Sequence, residues 1–112
     1  MPFIDCKLNV DITPAQETAL KEEFGKAISL IPGKSESWLM VNIQPSCALY
    51  FRGSKTTPTA MVNVSVYGNP NPGAFDKLTA RINSILSDTA DIEESYVSYS
   101  TTPYWGYNGS NF

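Results

Sequence analysis

Two stretches of this chain alternate apolar and polar residues, and each runs into a helix opened by proline. That repeated pattern constrains the fold more than any other feature. In FIDCKLNV, residues 3–10, Ile4, Cys6, Leu8 and Val10 alternate with Asp5, Lys7 and Asn9, the period of a strand with unlike faces. In the DITPAQE that follows, Thr13 can cap a helix, Pro14 fits its first position and Gln16 completes a capping box. The spacing predicts a helix to about Leu30 that buries Leu20, Phe24, Ala27, Ile28 and Ile31. Glu17–Lys21 and Glu22–Lys26 would face solvent as i,i+4 pairs. Pro32-Gly33 ends the helix, and WLMVNI at 38–43 reads as the returning strand.

The second half repeats the plan. AMVNVSVY at 60–67 sets Val62, Val64 and Val66 against Asn63, Ser65 and Tyr67. GNPNPG breaks it, with Asn71 as cap and Pro72 opening a helix striped with Phe75, Leu78, Ile82, Ile85 and Leu86. YVSY at 96–99 closes the unit, and ALYF at 48–51 and YWGY at 104–107 read as short extra strands. Each unit predicts a right-handed crossover between parallel strands. The expected architecture is α+β: a tandem βαβ repeat giving a four-stranded mixed sheet with two helices on one face. Residues 1–112 would form a single domain. The sheet's other face is expected to carry apolar and aromatic side chains that 112 residues cannot cover. That predicts an obligate homo-oligomer with a pocket at its subunit interfaces.

Composition narrows the function. A net charge of -3 argues against nucleic acid as a partner. No apolar run approaches the roughly 20 residues of a membrane span, and the first residues lack the basic and apolar regions of a signal peptide. A reduced, intracellular setting is therefore expected, with Cys6 and Cys47 as free thiols. Asn63-Val-Ser65 and Asn108-Gly-Ser110 match the glycosylation sequon, but without an export signal they read as chance matches. With no histidine and no cysteine cluster, neither a metal site nor a Ser/His/Asp set is expected, and no cofactor is called for.

Two residues could carry chemistry. Pro2 follows the initiator methionine, and processing enzymes generally remove Met1 when proline follows; Pro2 would then present a secondary amine. An α-amino group has an ordinary pKa of about 7.7–8.0, which burial or a nearby cation lowers toward the range of a general base. Taken alone, the position reads better as a proline tolerated at a chain end. Lys34, on the turn IPGKSES, reads either as a solvated charge at a helix C-terminus or as a cation fixed to hold a carboxylate and depress the Pro2 amine. Trp38, Tyr50, Tyr67, Tyr96, Tyr99, Trp105 and Tyr107 bunch near strand ends, as core filler or as the rings of a pocket.

The opening MPF, the Gly33-Lys34 turn, FRGS at 51–54, TAMVNVSVYG, YVSY and the ending WGYNGSNF, in this order along the full chain, resemble the macrophage migration inhibitory factor family of the tautomerase superfamily. The resemblance implies a homotrimer with active sites at subunit interfaces. Pro2 would shuttle a proton in the keto–enol tautomerisation of small aromatic α-keto acids of the phenylpyruvate type, or of dopachrome derivatives. Lys34 and the backbone N–H of Tyr67 would bind the substrate carboxylate. Tyr96 from a neighbouring subunit would line the pocket and Ser98 would contact substrate, with Phe3, Trp38, Trp105, Tyr107 and Phe112 as apolar walls. The alternative function implied is a cytokine-like protein, cytoplasmic and released without a leader, acting on a protein receptor with a weak or vestigial pocket. Tyr67 stands where many members carry a small aliphatic residue, which predicts a narrower or more polar pocket. Ser98 replaces a frequent asparagine and weakens one substrate hydrogen bond. The CxxC of some members maps to Thr59-Ala-Met-Val62, so no thiol-redox activity carries over.

Overall fold

The computed structural model describes residues 1–112. The first alternating stretch forms strand β1 (Pro2–Leu8), whose Ile4, Cys6 and Leu8 point into the core with no exposed surface. Helix α1 (Pro14–Ala27) starts at the expected capping box: the Thr13 hydroxyl accepts from the Gln16 N–H at 3.1 Å, and the Gln16 side chain accepts from the Thr13 N–H at 2.8 Å. The α-helix stops at Ala27, three residues before the expected end, and Ile28–Leu30 tighten into a 3-10 turn. Strands β2 (Met40–Gln44) and β3 (Thr59–Tyr67), helix α2 (Pro72–Ala90) and strand β4 (Glu94–Thr102) follow. Asn71 caps α2 by accepting from the Ala74 N–H at 3.1 Å, with Pro72 in its first turn.

The sheet order is β2-β1-β3-β4. β1 runs parallel to β2 and β3 parallel to β4, while β1 and β3 are antiparallel. The two βαβ units thus lie side by side in one mixed sheet. Its helix-facing residues Ile4, Cys6, Leu8, Val62, Val64 and Val66 pack against Leu20, Phe24 and Ile28 of the first helical segment and Leu78, Ile82 and Leu86 of α2. Tyr99 extends this core, stacking on Phe75 at 4.4 Å and donating its hydroxyl to the Phe75 carbonyl at 2.9 Å.

Several expectations need correcting. The i,i+4 pairs on α1 do not form. Glu23 instead bridges the helices, taking Arg81 of α2 at 2.7 Å and Lys26 at 3.5 Å. Residues 36–38 wind into a 3-10 turn, so β2 begins only at Met40 and Trp38 leaves the sheet, more than half exposed. ALYF forms no strand within a single chain, where only Phe51 bridges to Ser54 across a tight turn. YWGY contracts to β5 (Gly106–Tyr107), paired with β6 (Ser110–Asn111). Asn108 and Gly109 join them with φ of 47° and 104°, the double positive φ of a two-residue hairpin turn.

The open sheet face is also more polar than expected. Apolar and aromatic groups sit toward its ends, at Phe3 and Met40 and at Met61 and Tyr96, and polar groups fill the middle. There Asp5 takes Lys7 at 2.7 Å and Asn42 at 2.9 Å, and Ser98 bonds to Asn63 on the adjoining strands. Strand alternation forces this, because burying Val62, Val64 and Val97 turns Asn63, Ser65 and Ser98 outward.

Candidate active site

One end of the sheet gathers the residues that the sequence marks for chemistry. β1 and β2 begin there, β3 and β4 end there, and hairpin β5–β6 stands opposite. Between them lies an open cleft of about 760 Å³ whose lining includes Pro2, Phe3, Trp38, Trp105 and Tyr107. Phe3 enters because it opposes Met40 and Ser65 in register. Trp38 reaches the cleft because it left the strand, and it meets Tyr107 edge-on at 5.7 Å. Phe112 stacks on Tyr107 at 6.3 Å, and its N–H donates to the Trp105 carbonyl at 3.0 Å, closing the base of the hairpin.

Lys34 approaches from the turn after α1. Gly33 holds φ at +81°, a value costly for any residue with a β-carbon, and the Lys34 N–H returns to the Ile31 carbonyl at 3.1 Å. The Lys34 ammonium donates to the Tyr67 carbonyl at 2.7 Å. One bond extends the β1–β3 ladder past Pro2: the Tyr67 N–H donates to the Met1 carbonyl at 3.0 Å. The Met1 amine is therefore placed beside Lys34, and its pKa falls below the ordinary value. Burial is the largest cause, followed by the Lys34 charge and a hydrogen bond from that side chain. Pro2 lies deeper still, fully buried, with its nitrogen tied up in the Met1 peptide bond.

The open cleft thus has a part-buried amine at the chain start and a wall of rings, with the Lys34 cation beside it and the Tyr67 N–H taken by the Met1 carbonyl. Such a set can move a proton on a flat, anionic molecule. Nowhere in the chain do three His, Cys, Asp or Glu side chains converge. No helix is long and apolar enough to cross a membrane. A second hollow, of about 650 Å³, is lined by Asp91, Glu93, Glu94 and small polar groups at the other end of β4, remote from Lys34.

Pro2, Phe3, Lys34, Trp38, Tyr67, Trp105, Tyr107 and Phe112 all gather at or beside this cleft. Tyr96 and Ser98 do not. Tyr96 opposes Met61 and Ser98 opposes Asn63, whereas Pro2 opposes Val66; five residues of strand put Tyr96 about 17 Å from Pro2 along the strand direction alone, with two strand spacings between them as well. Tyr96 instead meets Phe51 edge-on at 5.4 Å and is largely exposed. Sequence reasoning did not single out Met1, Met40, Ser65, Thr102 and Tyr104, which also line the cleft. Ser65 and Met40 share a register position with Phe3, so strand pairing would have marked them. Nothing in the local sequence marks Tyr104.

No family model matches the sequence, and no curated protein matches it. Solved structures do. MIF2 of Leishmania major superposes with a TM-score of 0.90 at 30% identity, over 100% of this chain and 97% of that one. The macrophage migration inhibitory factor of Toxoplasma gondii gives 0.89 at 23% identity, over 98% and 99%. Pt0534, solved after inactivation by 2-oxo-3-pentynoate, gives 0.76 at 16% identity, over 89% and 85%. The last two likenesses, at their low identity, concern the fold alone.

Proposed function

Because the chain belongs to the macrophage migration inhibitory factor family of the tautomerase superfamily, we propose that it is a keto–enol tautomerase acting on small aromatic α-keto acids, with Pro2 as its base. The observation that carries this reading is the convergence of Lys34 and the chain start on a cleft walled by rings.

Removal of Met1 would do two things at once. It converts the Pro2 nitrogen from an amide to a secondary amine, and it frees the Tyr67 N–H from the Met1 carbonyl. A substrate carboxylate fits the vacated place, accepting from that N–H and facing Lys34. Burial and the Lys34 charge, which already depress the Met1 amine, act in the same direction on an amine one residue deeper and shift Pro2 toward the neutral form that a base requires. Neutral Pro2 takes a proton from the carbon between the ring and the carbonyl. The electron pair left behind moves into the enol, and the proton is returned to the carbonyl oxygen. The substrate carboxylate offsets the two adjacent positive charges while Pro2 holds the proton. Phe3, Trp38, Trp105, Tyr107 and Phe112 bound the space for the aromatic ring.

Tyr96 and Ser98 lie too far from Pro2 in one chain to serve the same site. Their role as pocket residues therefore rests on assembly as a homotrimer in which a neighbour supplies them. The uncovered sheet face supports such an assembly. The name of the Toxoplasma gondii relative raises a second reading, a cytokine-like protein that acts on a protein receptor; a Pro2→Gly protein that keeps receptor binding would separate the two.

The test is ketonisation of enol-phenylpyruvate by wild type and Pro2→Gly, after intact mass shows that Met1 is gone from both. Loss of the base is expected to lower kcat/KM by about 10² or more. An inactive wild type that is trimmed and assembled would remove the phenylpyruvate assignment.

A further inference from the structure

We infer that the ring of Tyr67, and not only its backbone N–H, positions Lys34 and so sets how tightly the cleft holds a planar aryl carboxylate; the inference rests on the tautomerase reading of this cleft. Lysine carries its charge on a flexible stem, and a bare lysine is a loosely aimed anion binder. No carboxylate lies within ion-pair range of Lys34 to hold it. Tyr67 does so instead, and the hydrogen bond between Lys34 and the Met1 amine is lost when Met1 is trimmed. The ammonium donates to the Tyr67 carbonyl at 2.7 Å and lies 5.9 Å from the centroid of the same residue's ring, within reach of cation–π attraction.

The ring is itself braced. It leans on Phe112 at 5.9 Å with 38° between the planes, and Phe112 stacks on Tyr107 at 6.3 Å and 15°. Tyr107 meets Trp38 at 5.7 Å. A run of rings therefore connects the far wall of the cleft to the cation. With the Tyr67 carbonyl and ring engaging the ammonium, its remaining N–H groups are left for an anion. A small aliphatic residue at this position would keep the carbonyl contact and lose the ring and its brace.

The experiment uses protein trimmed of Met1, with cinnamate as a non-reacting probe measured by calorimetry and enol-phenylpyruvate as substrate. Tyr67→Val is expected to raise the cinnamate Kd and the phenylpyruvate KM roughly fivefold, leaving kcat within about twofold. Tyr67→Phe, which keeps the ring, should bind cinnamate more tightly than Tyr67→Val. The inference is overturned if Tyr67→Val binds cinnamate like wild type, if Tyr67→Phe is as weak as Tyr67→Val, or if wild type does not bind cinnamate. Should Tyr67→Val fail to fold, Tyr67→Leu, which keeps the bulk and the backbone but not the ring, replaces it and must weaken cinnamate in the same direction. If cinnamate binding follows this pattern in a wild type without ketonase activity, the role of Tyr67 stands and the tautomerase reading falls.

Discussion

Lys34 acts on its surroundings through charge before any substrate arrives. It lowers the pKa of the neighbouring chain-start amine, adding to the larger effect of burial. A base must be neutral to accept a proton, so the acid limb of kcat/KM reports that amine. Removing Lys34 takes away a cation that disfavours the charged amine, and the amine pKa rises. Lys34→Ala should therefore move the acid limb to higher pH and also raise KM for a carboxylate substrate. A pH–rate series on trimmed protein checks both; an unmoved limb would mean that Lys34 does not face the base. The two thiols give a contrast at the same scale. Burial is the main cause that pushes Cys6 up to about 12, leaving it part of the core and outside the chemistry.

Helices and alternating strands were legible because their signals are local. Thr13, Pro14 and Gln16 form a capping box through contacts three residues apart, and the same logic placed Asn71 and Pro72. Thr13→Ala should cost about 1 kcal/mol of stability, read as a lower denaturation midpoint with an unchanged slope. The apolar stripe of α2 was legible for the same reason: its period is intrinsic to the helix. What failed depends on partners distant in sequence. ALYF looks strand-like, but it pairs with no strand of its own chain, whose outer sheet edges at β2 and β4 stay open. Trp38 continues an apolar run, yet Glu36–Trp38 close a 3-10 turn and carry it off the sheet. The pairs on α1 were displaced by Arg81, whose reach to Glu23 depends on how the two helices pack. In the site, Pro2 and Lys34 were legible as residue types in suggestive places. The Met1 carbonyl against the Tyr67 N–H was not, because it follows from the β1–β3 register.

A single chain leaves the whole molecule unfinished. The sheet's open face carries Phe3, Met40, Met61 and Tyr96 toward its ends around a polar centre, and Met40 and Tyr96 remain 70% and 63% exposed. A face with a hydrogen-bonded middle and apolar ends suits a partner better than bulk water. Sedimentation should accordingly give the mass of three 12.3 kDa chains, persisting on dilution; a monomer would leave Tyr96 and Ser98 without a site to serve. The bond between the Met1 carbonyl and the Tyr67 N–H has a further consequence at this scale. On the proposed mechanism each cleft has its own chain start, so every site would be switched by one peptide bond of its own. Specific activity then becomes a stoichiometric gauge: it counts the fraction of chain ends that have been trimmed, and a mixed population differs from a uniform one in how many sites turn over, with each working site unchanged.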